Sequence, residues 1–326
     1  MGISHYIKEI GRGARGARPL DRAQAQDLFG QVLDGAVTDL EVGAFCLAMR
    51  IKGETPAEMA GFLDATHARL ARFPDASRPT IVLPSYNGAR KLPVLTPLLA
   101  LLLAREGHSV LLHGTQTEAR RVTAPAVLGL LGIAPLQAVR PLGAGEVVHI
   151  DTGVLCPGLK RLLAVRQVVG LRNPAHSVVK VMEPALGDNV VLSSYTHPAY
   201  LESMVQTFEL LGMSALLSRG LEGESAADPR RTAQVDGYVR GRRIELQAQA
   251  AGTLAEVPGL PEAIDVDSTA AYTRDVLDGR LPVPEALARQ VAQVGRLCEL
   301  LAATPATTAP ASSSFEPAAD AALTSP

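Results

Sequence analysis

Apolar residues recur at helical spacing through the first seventy positions, and short β-rich runs begin only after residue 80. Residues 4–11 form a short amphipathic segment. A helix over 21–33 is stopped by Gly35, and one starting at Thr38 and running to about 51 is stopped by Gly53. Thr55-Pro56-Ala57-Glu58 is a helix start: Thr55 caps, Pro56 suits the first helical position, and Glu58 completes a capping box for a helix to about 70.

From residue 80 the period changes. Runs at 80–83, 109–112, 147–151, 190–194 and 215–218 alternate with helical stretches such as 95–104, 122–131 and 197–211, which predicts a largely parallel sheet covered by helices. Residues 157–169 break the alternation as a basic amphipathic helix, expected to return and pack on the N-terminal helices. The runs 235–239 and 243–247, joined by Arg240-Gly241-Arg242, predict a hairpin or sheet edge, and helices at 269–277 and 284–302 close the fold. The fold class is therefore α/β: a small helical domain over 1–75, joined by the returning helix at about 157–170, and a larger α/β domain with a mostly parallel central sheet over 76–302. Residues 303–326 are rich in Ala, Thr, Ser and Pro, lack Lys and Arg, and are expected to be disordered.

The 326 residues carry 47% hydrophobic and 20% charged side chains, an ordinary globular balance with room for two domains. The three cysteines, Cys46, Cys156 and Cys298, are scattered without metal-type spacing, which argues against a disulfide framework or zinc site and for the cytoplasm. Residues 1–22 have no signal-peptide core, and the apolar helix at 95–104 is too short to span a bilayer, so no membrane partner is expected.

A net charge of −2 gives no global support to nucleic-acid binding, yet the charge is polarised. Residues 1–22 hold five cations (Lys8, Arg12, Arg15, Arg18, Arg22) against two acids. Residues 156–182 hold five (Lys160, Arg161, Arg166, Arg172, Lys180) against none. If the second segment packs beside the first, one face becomes a basic groove whose hold on phosphates weakens steeply with salt. The opposing reading pairs these cations with acids such as Asp39, Glu41 or Asp64. Gly11-Arg12-Gly13-Ala14-Arg15-Gly16 matches a dinucleotide motif by letter only, because a helix rather than a strand precedes it.

The loop after the first strand, Ser85-Tyr86-Asn87-Gly88-Ala89-Arg90-Lys91, enters a helix, the arrangement in which α/β proteins bind phosphate. It has one glycine, two adjacent cations and an aromatic ring, which suits an anionic polymer better than a small diphosphate. Tyr86 offers a ring for base stacking or packs at the sheet edge. His113, before Gly114 at a strand end, is placed to approach a bound phosphate. His176 and His197 lie at element boundaries, where histidines are most often structural. Glu222 and Glu224 are weak magnesium candidates against the reading of a solvated loop.

The helical start, the loop after the first strand, His113-Gly114, Glu183-Pro184-Ala185 and Gly220-Leu221-Glu222-Gly223-Glu224 follow the order of motifs in anthranilate phosphoribosyltransferase, and the resemblance runs from about residue 3 to 302. It implies a nucleoside-phosphorylase-like, class II phosphoribosyltransferase architecture, with phosphoribosyl pyrophosphate and magnesium in a cleft between domains. The departures fall on the chemistry. Ser85-Tyr86-Asn87-Gly88-Ala89 stands where that family has Gly-Thr-Gly-Gly-Asp. Pro93-Val94-Leu95-Thr96 replaces Asn-x-Ser-Thr. Leu112-His113-Gly114-Thr115-Gln116 replaces Lys-His-Gly-Asn-Arg.

Ile7-Lys8-Glu9-Ile10-Gly11-Arg12-Gly13, Arg50-Ile51-Lys52-Gly53-Glu54, Pro84 to Lys91, and Arg172-Asn173 with Ala175-His176 resemble the YbiB-type DNA-binding branch of this glycosyltransferase family 3 group. That resemblance implies a homodimer formed through the helical domains, sequence-independent DNA or RNA binding in a basic groove, a setting in the DNA-damage response, no cofactor and no transferase activity. The groove expected from it comprises Lys8, Arg12, Arg15, Lys160, Arg161, Arg166 and Arg172, with Ser85, Tyr86, Asn87, Gly88, Arg90, Lys91 and His113 as cleft or phosphate residues. The competing expectation is a phosphoribosyltransferase acting on an unknown acceptor. A third is a dimer that binds a protein partner.

Overall fold

The computed structural model describes residues 2–304 except 14 and 119. The tail expected from 303 onward lies outside the described residues beyond Thr304.

Four helices open the chain: α1 (Ser4–Ile10), α2 (Arg22–Asp34), α3 (Asp39–Lys52) and α4 (Pro56–His67). The last three start on capping boxes at Asp21, Thr38 and Thr55, which explains why their beginnings are legible in sequence. The Glu58 of the third box is buried. Its carboxylate accepts from the Thr55 and Leu20 backbone N–H groups, both at 2.9 Å, and from Lys52 Nζ at 2.5 Å, tying α3, α4 and the loop before α2. Phe29, Phe45 and Phe62 meet at the centre of the bundle with centroids 4.6–6.2 Å apart.

The rest alternates strands and helices: β1 (Thr80–Pro84), α5 (Thr96–Arg105), β2 (Val110–Gly114), α6 (Ala124–Leu130), β3 (Pro135–Leu136), β4 (Val147–Asp151), α7 (Thr152–Leu155), α8 (Pro157–Val169), α9 (Ala175–Val178), β5 (Asn189–Tyr195), α10 (Pro198–Leu211), β6 (Ala215–Arg219), β7 (Val235–Val239), β8 (Arg242–Gln247), α11 (Val266–Leu277) and α12 (Glu285–Ala303). The strands form one sheet in the order β3-β4-β2-β1-β5-β6-β7-β8. Pairing is parallel as far as β6 and antiparallel for β6-β7-β8, so the expected hairpin is the sheet's edge.

Both faces of the sheet are covered, which is why its strands read as continuous apolar runs. Val82, Leu111, Val148 and Val191 face a core continuous with that of the bundle, while Ile81, Leu83, Val110 and Leu192 pack with α5, α6, α11 and α12. The returning helix α8 packs on α2. Its Gly158 lies so close to Leu33 that a Cβ there would sit 2.1 Å from the Leu33 carbonyl oxygen. All three cysteines are buried and free. No helix among the described residues is long and apolar enough to cross a membrane.

Candidate functional site

The chain steps from β1 to β2 to β4 in one direction and from β5 to β6 in the other. The crevice at the carboxyl ends of β1 and β5 is therefore the topological switch point, where open α/β sheets bind ligands. The 85–91 loop lies there, and the 220–224 loop after β6 lies against it.

The two loops are joined by carboxylates. Glu224, buried, accepts from Ser85 Oγ at 2.7 Å, the Gly88 N–H at 2.8 Å and Thr96 Oγ1 at 2.9 Å. Glu222 accepts from the backbone N–H groups of Arg90 and Lys91 at 2.8 and 3.0 Å and from Arg90 Nε at 3.2 Å. Burial raises the Glu224 pKa, against the lowering effect of these donors. The bland reading of a solvated 222–224 loop is thus corrected, and so is the weak assignment to magnesium. The oxygens that would meet a cation face hydrogen-bond donors instead, so these residues do not fit the metal. Among the described residues no group of three or more His, Cys, Asp or Glu could hold a metal ion.

Further contacts fix the 85–91 loop. Ala89 and Val122 exchange backbone hydrogen bonds at 2.8 and 3.0 Å. At Gly114, a Cβ would fall 2.0 Å from the Ser85 carbonyl oxygen, so only glycine lets the end of β2 come this close. Asn87 Oδ1 accepts from Arg172 at 2.9 Å. Tyr86 is not an open stacking platform: its ring is 2% exposed and its hydroxyl donates to the His176 carbonyl at 3.1 Å, so the packed alternative holds. His113 is likewise buried, with no hydrogen-bond partner at either ring nitrogen among the described residues, and burial pushes its pKa down to about 3. It is a neutral interior group rather than one that reaches a phosphate.

Two depressions flank the loop. One is a cleft of about 290 Å³ between the bundle and the sheet, walled by Met49, Met59, Tyr86 and Met204 and edged by Arg50, Arg172, His176 and Lys180. Lys180 donates to the Ser194 carbonyl at 2.9 Å, and burial with Arg172 nearby lowers its pKa to about 8. His176 Nε2 is buried without a partner among the described residues, and its pKa falls to about 3 through burial and the neighbouring cations. The second depression, about 560 Å³, is lined by Arg90, Arg120, Arg121, Arg166 and Glu118. Arg166 forms an ion pair with Glu118, and Arg121 lies 3.7 Å from Glu222. Arg120 is exposed with no ion pair among the described residues.

The cations expected to line one groove divide. α1 rests on α3 whereas α8 rests on α2, so the two basic segments are mounted on different helices. Lys8 and Arg15 are exposed, and Arg12 pairs with Glu9 at 2.5 Å. Lys160 pairs with Asp151 at 2.8 Å and Arg161 donates to the Leu33 carbonyl at 2.8 Å, at the start of α8. Arg166 and Arg172 sit at and beyond its far end, beside the 85–91 loop. The opposing reading holds for Arg22, one of the cations of residues 1–22, which pairs with the anticipated acid Asp64 at 2.5 Å. Arg120 and Arg121 were missed. The available signal was a cation doublet in the loop after a strand, the same pattern as Arg90 and Lys91.

Residues 4–69 match the helical bundle domain of the glycosyl transferase family. The chain is 41% identical over 302 residues to the uncharacterized protein YbiB of Escherichia coli (strain K12), covering 90% of this chain and 93% of that protein. It is 28% identical over 290 residues to the anthranilate phosphoribosyltransferase of Beijerinckia indica subsp. indica, covering 84% and 81%. Among solved structures, the anthranilate phosphoribosyltransferase (TrpD) of Thermus thermophilus superposes with a TM-score of 0.69 at 22% identity, covering 91% of this chain and 89% of that one. The Saccharomyces cerevisiae enzyme in complex with PRPP and Mg superposes with a TM-score of 0.67 at 12% identity, covering 91% and 88%.

Proposed function

Because the chain belongs to the YbiB branch of glycosyltransferase family 3, with the small helical domain and α/β domain of the phosphoribosyltransferases, we propose that it binds DNA or RNA through phosphates, independently of base sequence and without transferring phosphoribosyl groups. One observation carries this reading: four guanidinium side chains, those of Arg90, Arg120, Arg121 and Arg166, line an open depression against two acids, Glu118 paired with Arg166 and Glu222 beside Arg90 and Arg121. Guanidinium forks suit phosphate oxygens, and a cluster of them attracts a polyanion whatever its bases. Lys91 lies next to this face in sequence, Arg172 lies beyond the end of α8, and the exposed Lys8 and Arg15 supply further positive charge, whereas Lys160 is paired with Asp151. Burial of Tyr86 supports contact with phosphates over base stacking.

The reading includes a homodimer that acts in the cytoplasm. Leu40, Leu47 and Ile51 form an apolar stripe on α3 and are 87, 47 and 56% exposed, a surface that a second copy would cover. A role in the DNA-damage response comes from the family resemblance alone. The test is binding of unrelated oligonucleotides across a salt series. We expect similar affinities for all sequences, falling steeply with salt. A flat salt response, or no binding at low salt, would refute the reading.

A second reading, phosphoribosyl transfer to an unknown acceptor, is favoured by the 290 Å³ cleft with its cationic edge and by the anthranilate phosphoribosyltransferase relatives. Turnover, or tight binding of phosphoribosyl pyrophosphate with magnesium, would establish it. The fit of Glu222 and Glu224 to the loop rather than to a metal weighs against it.

A further inference from the structure

An ion pair that joins the bundle to the sheet occupies part of the arginine-lined depression. Arg166 stands near the end of α8, the helix that packs on α2, and Glu118 stands in the loop after β2. Their charged groups meet at the depression, on side chains 22 and 27% exposed. Arg166 Nη2 reaches the carboxylate, whereas Nη1 is buried with no hydrogen-bond partner among the described residues. A guanidinium fork carries several N–H donors in one plane and is best satisfied by an anion that offers more than one oxygen to it.

The two acids of this face are held differently. Glu222 accepts from the backbone N–H groups of Arg90 and Lys91 at 2.8 and 3.0 Å, and its side chain is 5% exposed, so it is fixed in place. The Glu118 carboxylate has Arg166 as its one ion-pair partner among the described residues. Turning it out into water strips no backbone N–H of its acceptor, and a partly exposed pair of this kind contributes only about 0.2–1 kcal/mol. A phosphate in its place meets the same Nη2 and brings a second oxygen for the unused Nη1.

We propose that Glu118 is a built-in competitor for the polyanion: it holds Arg166 in the free protein, and a phosphate of the bound strand takes its place, turning the carboxylate out to solvent. A single small anion gains little from such an exchange. A polymer already touching Arg90 and Arg120 presents its next phosphate at high local concentration, so the exchange favours polymers. It also undoes one tie between the loop after β2 and α8, while the Arg172 contact with Asn87 stays in place. The assignment rests on the polyanion reading and states how that face is regulated.

The test is oligonucleotide binding, by fluorescence anisotropy across a salt series, for the parent, Glu118→Gln, Arg166→Gln, the double variant and Glu256→Gln. The last removes the same charge from an exposed acid outside the depression. We expect Glu118→Gln to bind about fivefold more tightly than the parent. Its salt slope should steepen by up to about 0.7–0.9, because Arg166 then sheds a counterion of its own on binding. The double variant should bind no better than Arg166→Gln, and Glu256→Gln no better than the parent. Equal gains for Glu118→Gln and Glu256→Gln, or a gain that survives the loss of Arg166, would overturn the competitor role, while salt-dependent binding by the parent upholds the polyanion reading. No binding by any of the five proteins at low salt would defeat both.

Discussion

Arg172 and Asn87, 85 residues apart in the chain, meet at 2.9 Å, with the guanidinium donating to the side-chain carbonyl. The contact ties the segment after α8 to the loop after β1 and leaves Asn87 half satisfied, since its Nδ2 has no partner among the described residues. Arg172→Ala removes the donor to that buried amide oxygen. We expect a loss of about 1.5–3 kcal/mol in chemical unfolding, the range for hydrogen bonds to charged groups. A variant as stable as the parent would show that the contact contributes nothing.

Arg120 has no ion pair among the described residues, so its removal leaves no carboxylate unpaired. Arg120→Ala should weaken binding to all oligonucleotide sequences alike and lower the salt slope by about 0.7–0.9 for one lost phosphate contact. Fluorescence anisotropy over a salt series measures both. A change confined to one sequence would contradict the phosphate-contact reading.

Glu58 is buried beneath Lys52, whose side chain is 8% exposed. Glu58→Ala leaves that ammonium unpaired and also orphans the N–H groups of Leu20 and Thr55. Breaking a buried pair from one side costs about 3–5 kcal/mol, and we expect the melting temperature to fall accordingly. Lys52→Met with Glu58→Gln should recover part of the loss.

Histidines wholly or partly buried make the fold sensitive to acid. Burial lowers His67 to about 4 and His113 and His176 to about 3, from an ordinary 6.5. Between those values and 6.5 the unfolded chain binds more protons, so stability is complete above pH 6.5 and drains away as the pH falls through that window. Glu183 works in the opposite sense. Burial raises it from 4.5 to about 7, so it favours the fold at low pH and loses that contribution as the pH rises toward 7. Burial also lowers His108 and His149, which act with the three histidines, and raises Glu54 and Glu224, which act with Glu183. With five histidines against three carboxylates, urea midpoints should fall from pH 6.5 to pH 4. Glu183→Gln, which removes one opposing contribution, should steepen the decline.

Leu47→Glu puts a charge in the middle of the exposed α3 stripe. Analytical ultracentrifugation should find a dimer for the parent and a monomer of unchanged circular dichroism for the variant. A monomeric parent would remove the dimer from the functional reading.

Much of the fold was legible because its signals are local. Capping boxes mark α2, α3 and α4, and Gly170 in the left-handed conformation ends α8 where its amphipathic pattern stops. The β3 strand, two residues long, and α7 and α9, each four, are too short to show a period. The site was less legible because it is assembled across more than a hundred residues. The Glu222-Gly223-Glu224 segment is conspicuous in the sequence, but nothing local shows that it closes over Gly88, Arg90 and Lys91. Tyr86 and His113 were visible as chemistry-bearing types, whereas their burial depends on strands and helices far along the chain. Arg120 and Arg121 carried a readable pattern that went unweighed beside the longer basic runs.

The docking of α8 on α2 has a consequence for how this molecule can be divided. A fragment ending near residue 75 would expose the side of α2 that α8 covers, and one beginning there would carry α8 with its α2-facing side uncovered. Neither piece is a self-sufficient module, so splitting or shuffling the gene at that linker should yield two poorly soluble products. The halves should behave well only when co-expressed and allowed to reassociate.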